Sequence, residues 1–255
     1  MEILVCVKRV PMVGGKIVLT AGGQEVETRM SGFAISPHEE CAVEEAVQIT
    51  ERLGGMVSVL TLGPAAAADQ LREALALGAK RAVLLETDGR EWGPIATADA
   101  IVAEARRRAD AGQGYDLVLL GNEAADTGDY QVGVRVAHAL GWPCATGIKN
   151  LEIVADGARA RREYRGTEEL FEFGLPAVIT VKEGINLPRY PSLPGRLRAK
   201  RAVIESHQPQ WGPEGLRKEI LRVPETERKQ ATVLGTGVDA VPALVKVLEE
   251  MGVLP

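Results

Sequence analysis

Short, uninterrupted apolar runs alternate with longer amphipathic stretches in this 255-residue sequence, and this alternation limits the possible folds more than any other feature. Runs that are apolar throughout are typical of strands buried on both faces, as in parallel sheets. They lie at residues 3–7, 57–62, 82–85, 117–120 and 177–181. Strands that alternate with helices predict an α/β protein with a doubly wound, mostly parallel sheet.

The stretches between these runs carry helix signals. The clearest is Ser36-Pro37-His38-Glu39, a capping box with proline at the first helical position. Several of these stretches end at glycine, which marks a helix terminus. One predicted helix starts at Ser36, and the others span residues 64–77, 94–108 and 129–140.

Two insertions interrupt the alternation. Residues 16–20 and 24–28 predict a hairpin around Gly22-Gly23. Residues 150–155, 158–165 and 168–173 predict an antiparallel excursion at the sheet edge, with Asp156-Gly157 as a turn. Both insertions add antiparallel strands to a mostly parallel core.

The sequence changes character towards its C-terminus. Prolines and a glycine within residues 188–195 predict a segment without regular secondary structure. Residues 207–232 contain few apolar anchors, and an amphipathic helix is predicted after a cap at Asp239. We therefore expect one folded domain over residues 1–206 and an extended C-terminal arm with a terminal helix over residues 207–255.

Composition excludes several classes of protein. The net charge of −5 argues against general nucleic-acid binding, which needs a basic surface. Cys6, Cys41 and Cys144 have no CxxC spacing, which excludes a disulfide framework and a thiolate zinc site. The apolar run at residues 3–7 is too short for a signal peptide, and no stretch approaches the roughly 18 apolar residues of a membrane span. We expect a cytoplasmic protein without direct membrane insertion.

The loop at residues 121–133, GNEAADTGDYQVG, is the strongest candidate for a binding site. It leaves the carboxyl end of a buried strand and is predicted to enter a helix near Gly128-Asp129. Open α/β sheets bind ligands at the carboxyl ends of their strands. Its glycines allow close approach of a phosphate, and helix amides together with Thr127 could donate to it. The alternative is an ordinary connection, because Asp126 and Asp129 would repel a phosphate unless one of them faces a ribose hydroxyl.

The segment LPRYPSLPGRLRAKR, residues 187–201, combines Tyr190, Leu193 and Leu197 with prolines and basic residues. Prolines lower the entropic cost of ordering a loop, so a leucine at its tip could anchor in a partner's pocket. The alternative is that Leu193 folds back on its own core and the basic side chains are solvated.

At these residues the sequence resembles the β subunit of electron transfer flavoproteins. The similar motifs occur in order over most of the chain: CVKRV (6–10), AVEEA (42–46), ALALGA (74–79), the loop 121–133, LPAV (175–178), RYPSLP (189–194) and AK (199–200). The proline-punctuated RYPSLP motif is the most specific of them.

The resemblance implies a Rossmann-like, adenine-nucleotide-binding subunit that pairs with a flavoprotein α subunit. The heterodimer would carry one FAD, held mainly by the α subunit, and a structural AMP in the β subunit. It would shuttle electrons from dehydrogenases such as acyl-CoA dehydrogenases to a membrane-bound quinone oxidoreductase, with no catalysis by the β chain itself. The C-terminal arm would pack on the α subunit.

The resemblance also assigns site residues by position. The AMP would contact Cys6, Ser36, Pro37, His38, Glu39, Leu62, Gly121, Asn122, Glu123, Ala124, Ala125, Asp126, Thr127, Gly128, Asp129, Tyr130, Gln131 and Val132. The recognition loop, within residues 187–201, would use Tyr190, Pro191, Ser192, Leu193, Pro194, Gly195, Arg196 and Lys200, with Leu193 as the anchor.

Two alternatives stay open at this point. A bifurcating-type β subunit would carry a second FAD in place of AMP. A universal-stress-type regulatory nucleotide-binding protein would share the sheet and the crevice, although its glycine-rich phosphate motif is not matched by Gly121, Gly128 and Gly133.

Overall fold

The computed structural model describes residues 1–12, 14, 17–215, 217–224 and 231–254. Within these ranges, seven strands form a parallel central sheet in the order β12-β5-β4-β1-β6-β11-β7. These strands are β1 (Glu2–Cys6), β4 (Met56–Gly63), β5 (Arg81–Glu86), β6 (Leu117–Gly121), β7 (Cys144–Ile148), β11 (Ala177–Val181) and β12 (Glu205–His207). The predicted α/β fold with a Rossmann-like parallel sheet is confirmed.

Helices α1 (Pro37–Leu53), α2 (Ala68–Leu77), α3 (Pro94–Asp110) and α4 (Val132–Leu140) cover the two faces of this sheet. α5 (Leu193–Arg201) packs on α2, and α6 (Val241–Glu250) lies outside both cores. Side chains alternate across β1, so that Ile3 and Val5 pack with α1 and α2 while Leu4 and Cys6 pack with α3 and α4. The continuous apolar runs of the sequence are therefore strands that feed two cores at once.

A smaller antiparallel sheet corresponds to the predicted excursion. It contains β8 (Asn150–Val154), β9 (Gly157–Tyr164) and β10 (Thr167–Phe173), in the order β10-β9-β8. Ala158 and Ala160 face the same core as α1 and α2, while cross-strand ion pairs such as Arg159–Glu172 lie outside. Alanine and arginine therefore alternate over residues 158–161 of β9, with alanine towards the core and arginine outside.

The other predicted insertion is only partly regular. Between β2 (Val10–Pro11) and β3 (Phe33–Ala34), Leu19 and Val26 form an isolated antiparallel bridge, and the described residues around it form no hairpin strand. Lys16, the predicted first residue of the hairpin, lies outside the described residues.

The predicted C-terminal arm begins at His207, the last residue of the edge strand β12, and the chain then lies against the surface of the core. After β12, the Glu214 carboxylate accepts hydrogen bonds from the amides of Ile95 and Ala96 at 3.3 and 2.9 Å, which caps the start of α3. α6 buries none of its residues against this chain. No helix in the described ranges has the length and apolar character needed to cross a membrane.

Three local predictions are wrong. Residues 193–201 form α5 because Ser192 caps the helix and Pro194 lies in its first turn, where proline is tolerated. α4 begins at Val132 rather than near Asp129, since Tyr130 adopts a left-handed φ of 56°. Asp239 does not cap α6 but lies inside a short 3₁₀ turn, Gly237–Ala240, that precedes it.

Candidate functional site

A crevice lies at the carboxyl ends of the central strands. β1 has β4 on one side and β6 on the other, and the chain winds outward from this point in both directions. Such a change of direction opens a crevice beyond the strand ends, where α/β proteins bind ligands. Residues at the ends of β1 and β6, the loop after β6 and the start of α1 meet there.

Glu39 is the buried charged group at the start of α1. Its carboxylate accepts hydrogen bonds from the amides of Lys8, at 3.1 Å, and Ser36, at 3.2 Å, while Ser36 Oγ accepts from the Glu39 amide at 3.4 Å. Burial raises the pKa of Glu39 to about 7, although these hydrogen bonds work in the other direction. Burial and the charge of Glu39 also raise the pKa of the Cys6 thiol. The predicted capping box is thus present, and it carries a titratable group.

His38 joins three parts of the crevice. Its Nδ1 accepts a hydrogen bond from the Glu183 amide at 2.7 Å, just after β11. Its Nε2 lies 3.3 Å from Glu123 Oε1 in the loop after β6. Because Nδ1 accepts, the neutral ring carries its proton on Nε2 and donates it to Glu123.

The loop at residues 121–133 combines close approach with an open helix start. A Cβ at Gly121 would lie 2.8 Å from Glu39 Cγ, so only glycine lets the loop lie against α1. Gly128 has φ of 62° in open space. Gln131 is the N-cap residue of α4, and its side chain makes no capping hydrogen bond. The Gln131 side chain therefore does not compete with a ligand for the amides of the first turn.

The acidic residues of this loop have partners. Lys8 Nζ lies 2.7 Å from Asp126 Oδ1, and Thr127 Oγ1 donates to Asp129 Oδ2 at 2.8 Å. At the base of the loop, Thr180 Oγ1 donates to Asn122 Oδ1 at 2.8 Å. The Lys8 ammonium thus offsets the charge of Asp126, whereas the Thr127 hydroxyl orients Asp129 without neutralising it.

A second feature is an apolar ridge formed by Leu187, Tyr190, Leu193 and Leu197. Their exposed fractions are 89%, 96%, 72% and 53%. Leu193 therefore does not fold back on its own core. Arg196, Arg198, Lys200 and Arg201 are exposed on or beside α5 and give the ridge a basic surround. An exposed apolar patch with a polar rim is typical of a protein interaction surface.

Packing against α2 holds the ridge in place. Ser192 Oγ accepts from the Gly195 amide at 3.1 Å, and Gly195 lies so close to α2 that a Cβ there would be 2.6 Å from the Ala76 carbonyl oxygen. Arg72 donates to the carbonyl oxygen of Ala199 at 2.7 Å, near the end of α5. The helix is thus fixed at both ends while its leucines stay exposed.

Comparison with known proteins agrees with this arrangement. The family model described as electron transfer flavoprotein domain matches residues 26–210. The chain is 37% identical to the electron transfer flavoprotein subunit beta of Bacillus subtilis (strain 168) over 207 residues, 80% of this chain and 78% of that protein. It is 34% identical to the subunit beta of Bradyrhizobium diazoefficiens over 260 residues, 100% of each chain. The subunit beta of Homo sapiens is 32% identical over 256 residues, 99% of this chain and 98% of that protein.

The chain belongs to the electron transfer flavoprotein β subunit family. Membership implies a role in electron transfer and an association with flavin. Among the described residues, no group of three or more His, Cys, Asp or Glu side chains is arranged to hold a metal ion.

The structure brings most of the candidate site residues of this electron transfer flavoprotein subunit together. Cys6, Ser36 to Glu39 and the loop 121–132 border the crevice at the strand ends, and Leu62 lies near the end of β4. Of the predicted recognition residues, Tyr190 and Leu193 are highly exposed, whereas Gly195 is buried against α2. Gly195 therefore has a packing role in this surface.

Sequence reasoning missed the side chains that link these elements. Lys8 pairs across the crevice, Glu183 bonds to His38, and Arg189 pairs with Glu44 and Glu51. For Glu44 and Glu51 the sequence did contain a signal. The two residues are seven positions apart, a spacing that places both on one face of a helix.

Proposed function

We propose that this chain is the β subunit of a heterodimeric electron transfer flavoprotein. The heterodimer takes electrons from dehydrogenases, acyl-CoA dehydrogenases among them, and passes them to a membrane-bound quinone oxidoreductase. FAD, held mainly by the α subunit, supplies the redox chemistry, and this chain supplies a scaffold, a nucleotide site and a docking surface without catalysis of its own. The full-length match to the Bradyrhizobium diazoefficiens subunit beta carries the proposal, because it includes the arm as well as the core.

Two features of the crevice support the binding of the phosphate end of an AMP. Gly128 lies in open space and leaves room for the backbone to approach a phosphate, and the first turn of α4 offers amides that no Gln131 side chain caps. Lys8 and Thr127 engage the carboxylates of Asp126 and Asp129. Residues 36–39 and 121–132, with Cys6 and Leu62, would hold this structural nucleotide.

The apolar ridge fits a docking role. Leu193 stands on the first turn of a helix whose capping residue and C-terminal carbonyls are already bonded, so an inserted leucine would pay little ordering entropy. α6, which has no fully buried residue on this chain, would pack on the α subunit.

Nucleotide analysis of the purified heterodimer tests the assignment. The chain is co-expressed with its α subunit, the complex is denatured, and the released nucleotides are quantified by chromatography. We expect one FAD and one AMP per heterodimer. Two FAD and no AMP would make the protein a bifurcating-type carrier, and a stable homodimer without a flavoprotein partner would favour a regulatory nucleotide-binding protein.

The docking role is tested separately with Leu193→Ala. We expect a higher KM for the carrier in an acyl-CoA dehydrogenase assay and unchanged flavin content. Leu170→Ala is the matched control, because Leu170 is 55% exposed on β10, which belongs to the antiparallel sheet and carries no part of the ridge. Equal KM values for Leu193→Ala and the unmodified carrier would refute the docking role.

A further inference from the structure

The chain between β11 and the apolar ridge runs along one side of α1. The Glu183 amide bonds to His38, and Asn186 Nδ2 donates to the Cys41 carbonyl oxygen at 3.1 Å and to Glu45 at 2.9 Å. Arg189, the residue before Tyr190, makes the last of these contacts. Hydrogen bonds to α1 therefore fix the path of the segment that leads from β11 to Tyr190.

Arg189 is held by two carboxylates of α1. Its Nε and Nη2 donate to Glu44 at 2.8 and 3.0 Å, and its Nη1 and Nη2 donate to Glu51 at 2.7 and 2.9 Å. Its backbone amide also donates to Glu44, at 3.2 Å. The planar guanidinium thus makes a bidentate contact with each carboxylate, which fixes both its position and its orientation.

The two carboxylates are in different environments. The Glu44 side chain is only 3% exposed, whereas that of Glu51 is 56% exposed. Burial alone would raise the pKa of Glu44, but hydrogen bonds from Arg189 and Gln48 outweigh it and hold the pKa below its ordinary value. Glu44 needs Arg189 because an unpaired buried charge is strongly destabilising. An exposed pair such as Arg189–Glu51 contributes little to stability, so its effect is mainly on geometry.

We propose that Arg189 is a positioning residue for docking: its contacts with Glu44 and Glu51 hold Tyr190 and the segment that leads into α5 in the orientation that a partner's apolar pocket accepts. This inference rests on the proposed docking role of the ridge. With Arg189 free, the segment before Ser192 would have to be ordered at the moment of binding, and affinity would fall by that entropic cost.

Variants that separate geometry from stability test the proposal. Glu51→Gln removes the exposed contact only. Arg189→Gln removes both contacts and leaves Glu44 unpaired, while the double variant Arg189→Gln with Glu44→Gln also removes that buried charge. Arg189→Lys keeps the charge but cannot contact two carboxylates in a bidentate manner. Arg90→Gln is the control, because Arg90 makes an exposed pair with Asp88 away from the ridge.

The readouts are the thermal midpoint of the FAD-loaded heterodimer, its flavin content, and KM and kcat with an acyl-CoA dehydrogenase as electron donor. We expect Glu51→Gln and Arg189→Lys to raise KM about two- to tenfold with kcat unchanged, the range for ordering one side chain on binding. Arg189→Gln lowers the thermal midpoint as well. The double variant recovers the midpoint but keeps the raised KM, which a purely structural role would not produce.

Two results would overturn the proposal, and they are distinguishable. If Leu193→Ala raises KM while Glu51→Gln and the double variant do not, the ridge docks but Arg189 only stabilises the fold. If Leu193→Ala itself leaves KM unchanged, the docking role fails and the inference about Arg189 fails with it.

Discussion

Glu39 is expected to lower the stability of the protein as the pH rises, and Glu39→Gln is expected to remove this dependence. The pKa of Glu39 is raised from 4.5 to about 7 in the fold, first because the carboxyl is buried. The folded state therefore holds the proton more tightly than the unfolded state does. Stability from this group is present below pH 4.5 and is lost as the pH rises towards about 7.

The size of the effect follows from the two pKa values. One pKa unit corresponds to about 1.4 kcal/mol, so the full difference amounts to about 3 kcal/mol of unfolding free energy. Between about pH 5.5 and about pH 8 the unfolding free energy falls by about 2 kcal/mol of this total, because the rest has already been lost below about pH 5.5. Glutamine imitates the protonated form. It can accept from only one of the amides of Lys8 and Ser36, which adds a constant cost of about 1–3 kcal/mol.

Urea unfolding of the unmodified protein and of Glu39→Gln, over this pH range, measures the effect. Taking the difference between the two proteins removes the contribution of titratable groups far from residue 39. Glu163→Gln serves as control, since Glu163 is exposed on β9 and its replacement should leave the pH dependence unchanged. An infrared band of a protonated carboxylic acid, present near neutral pH and absent in Glu39→Gln, would give independent support. A difference in unfolding free energy that does not vary with pH would refute the reasoning.

Three further predictions concern the crevice, the arm and α3. Gly128→Val is expected to lower the nucleotide content of the heterodimer, because φ of 62° strains a branched residue. Gly112→Val is the control, since Gly112 has φ of 73° in an equally open position, and its nucleotide content should not change. A nucleotide content of Gly128→Val equal to that of the unmodified protein would contradict a role of Gly128 in nucleotide binding. Removal of the residues after Val238 should raise the dissociation constant of the heterodimer while the core keeps its stability, since no residue of α6 is fully buried on this chain. An unaltered dissociation constant in a titration would argue against a role of the arm in assembly. Glu214→Ala should lower the unfolding free energy by about 1 kcal/mol through loss of the cap on α3, and a urea midpoint equal to that of the unmodified protein would exclude that cap.

The sequence predicted the strands whose side chains are buried on both faces. It did not predict β7 and β12, and the reason is the same for both. They are the two edge strands of the central sheet, so their sequences, CATGI and ESH, need not be continuously apolar. β12 pairs with β5 through its backbone, a contact that leaves no periodic pattern in the sequence.

Local signals failed where the same residue type can serve two structures. The prolines around Leu193 suggested an irregular segment, yet Pro194 lies in the first turn of α5. Backbone amides in the first turn have no intrahelical acceptor, so a residue without an amide hydrogen is tolerated there. At Gly128-Asp129 the pattern resembled a helix start, but the left-handed Tyr130 delays α4. The resemblance placed candidate residues at the crevice and the ridge. The ion pairs that hold them join residues far apart in sequence, 118 positions for Lys8–Asp126 and 145 for Arg189–Glu44, and no local pattern reports such pairs.

α1 connects the two candidate surfaces and therefore determines how their tests should be combined. Its 17 residues span about 25 Å, with Glu39 at the crevice and Glu51 beside the segment that leads to the ridge. A helix of this length moves as a unit, so loosening one end can reach the other only by tilting the whole helix. Nucleotide content should therefore be measured on Glu51→Gln, and KM on Gly128→Val. Effects confined to the expected readout would make the surfaces independent, whereas matching losses in both would show that α1 couples nucleotide binding to docking.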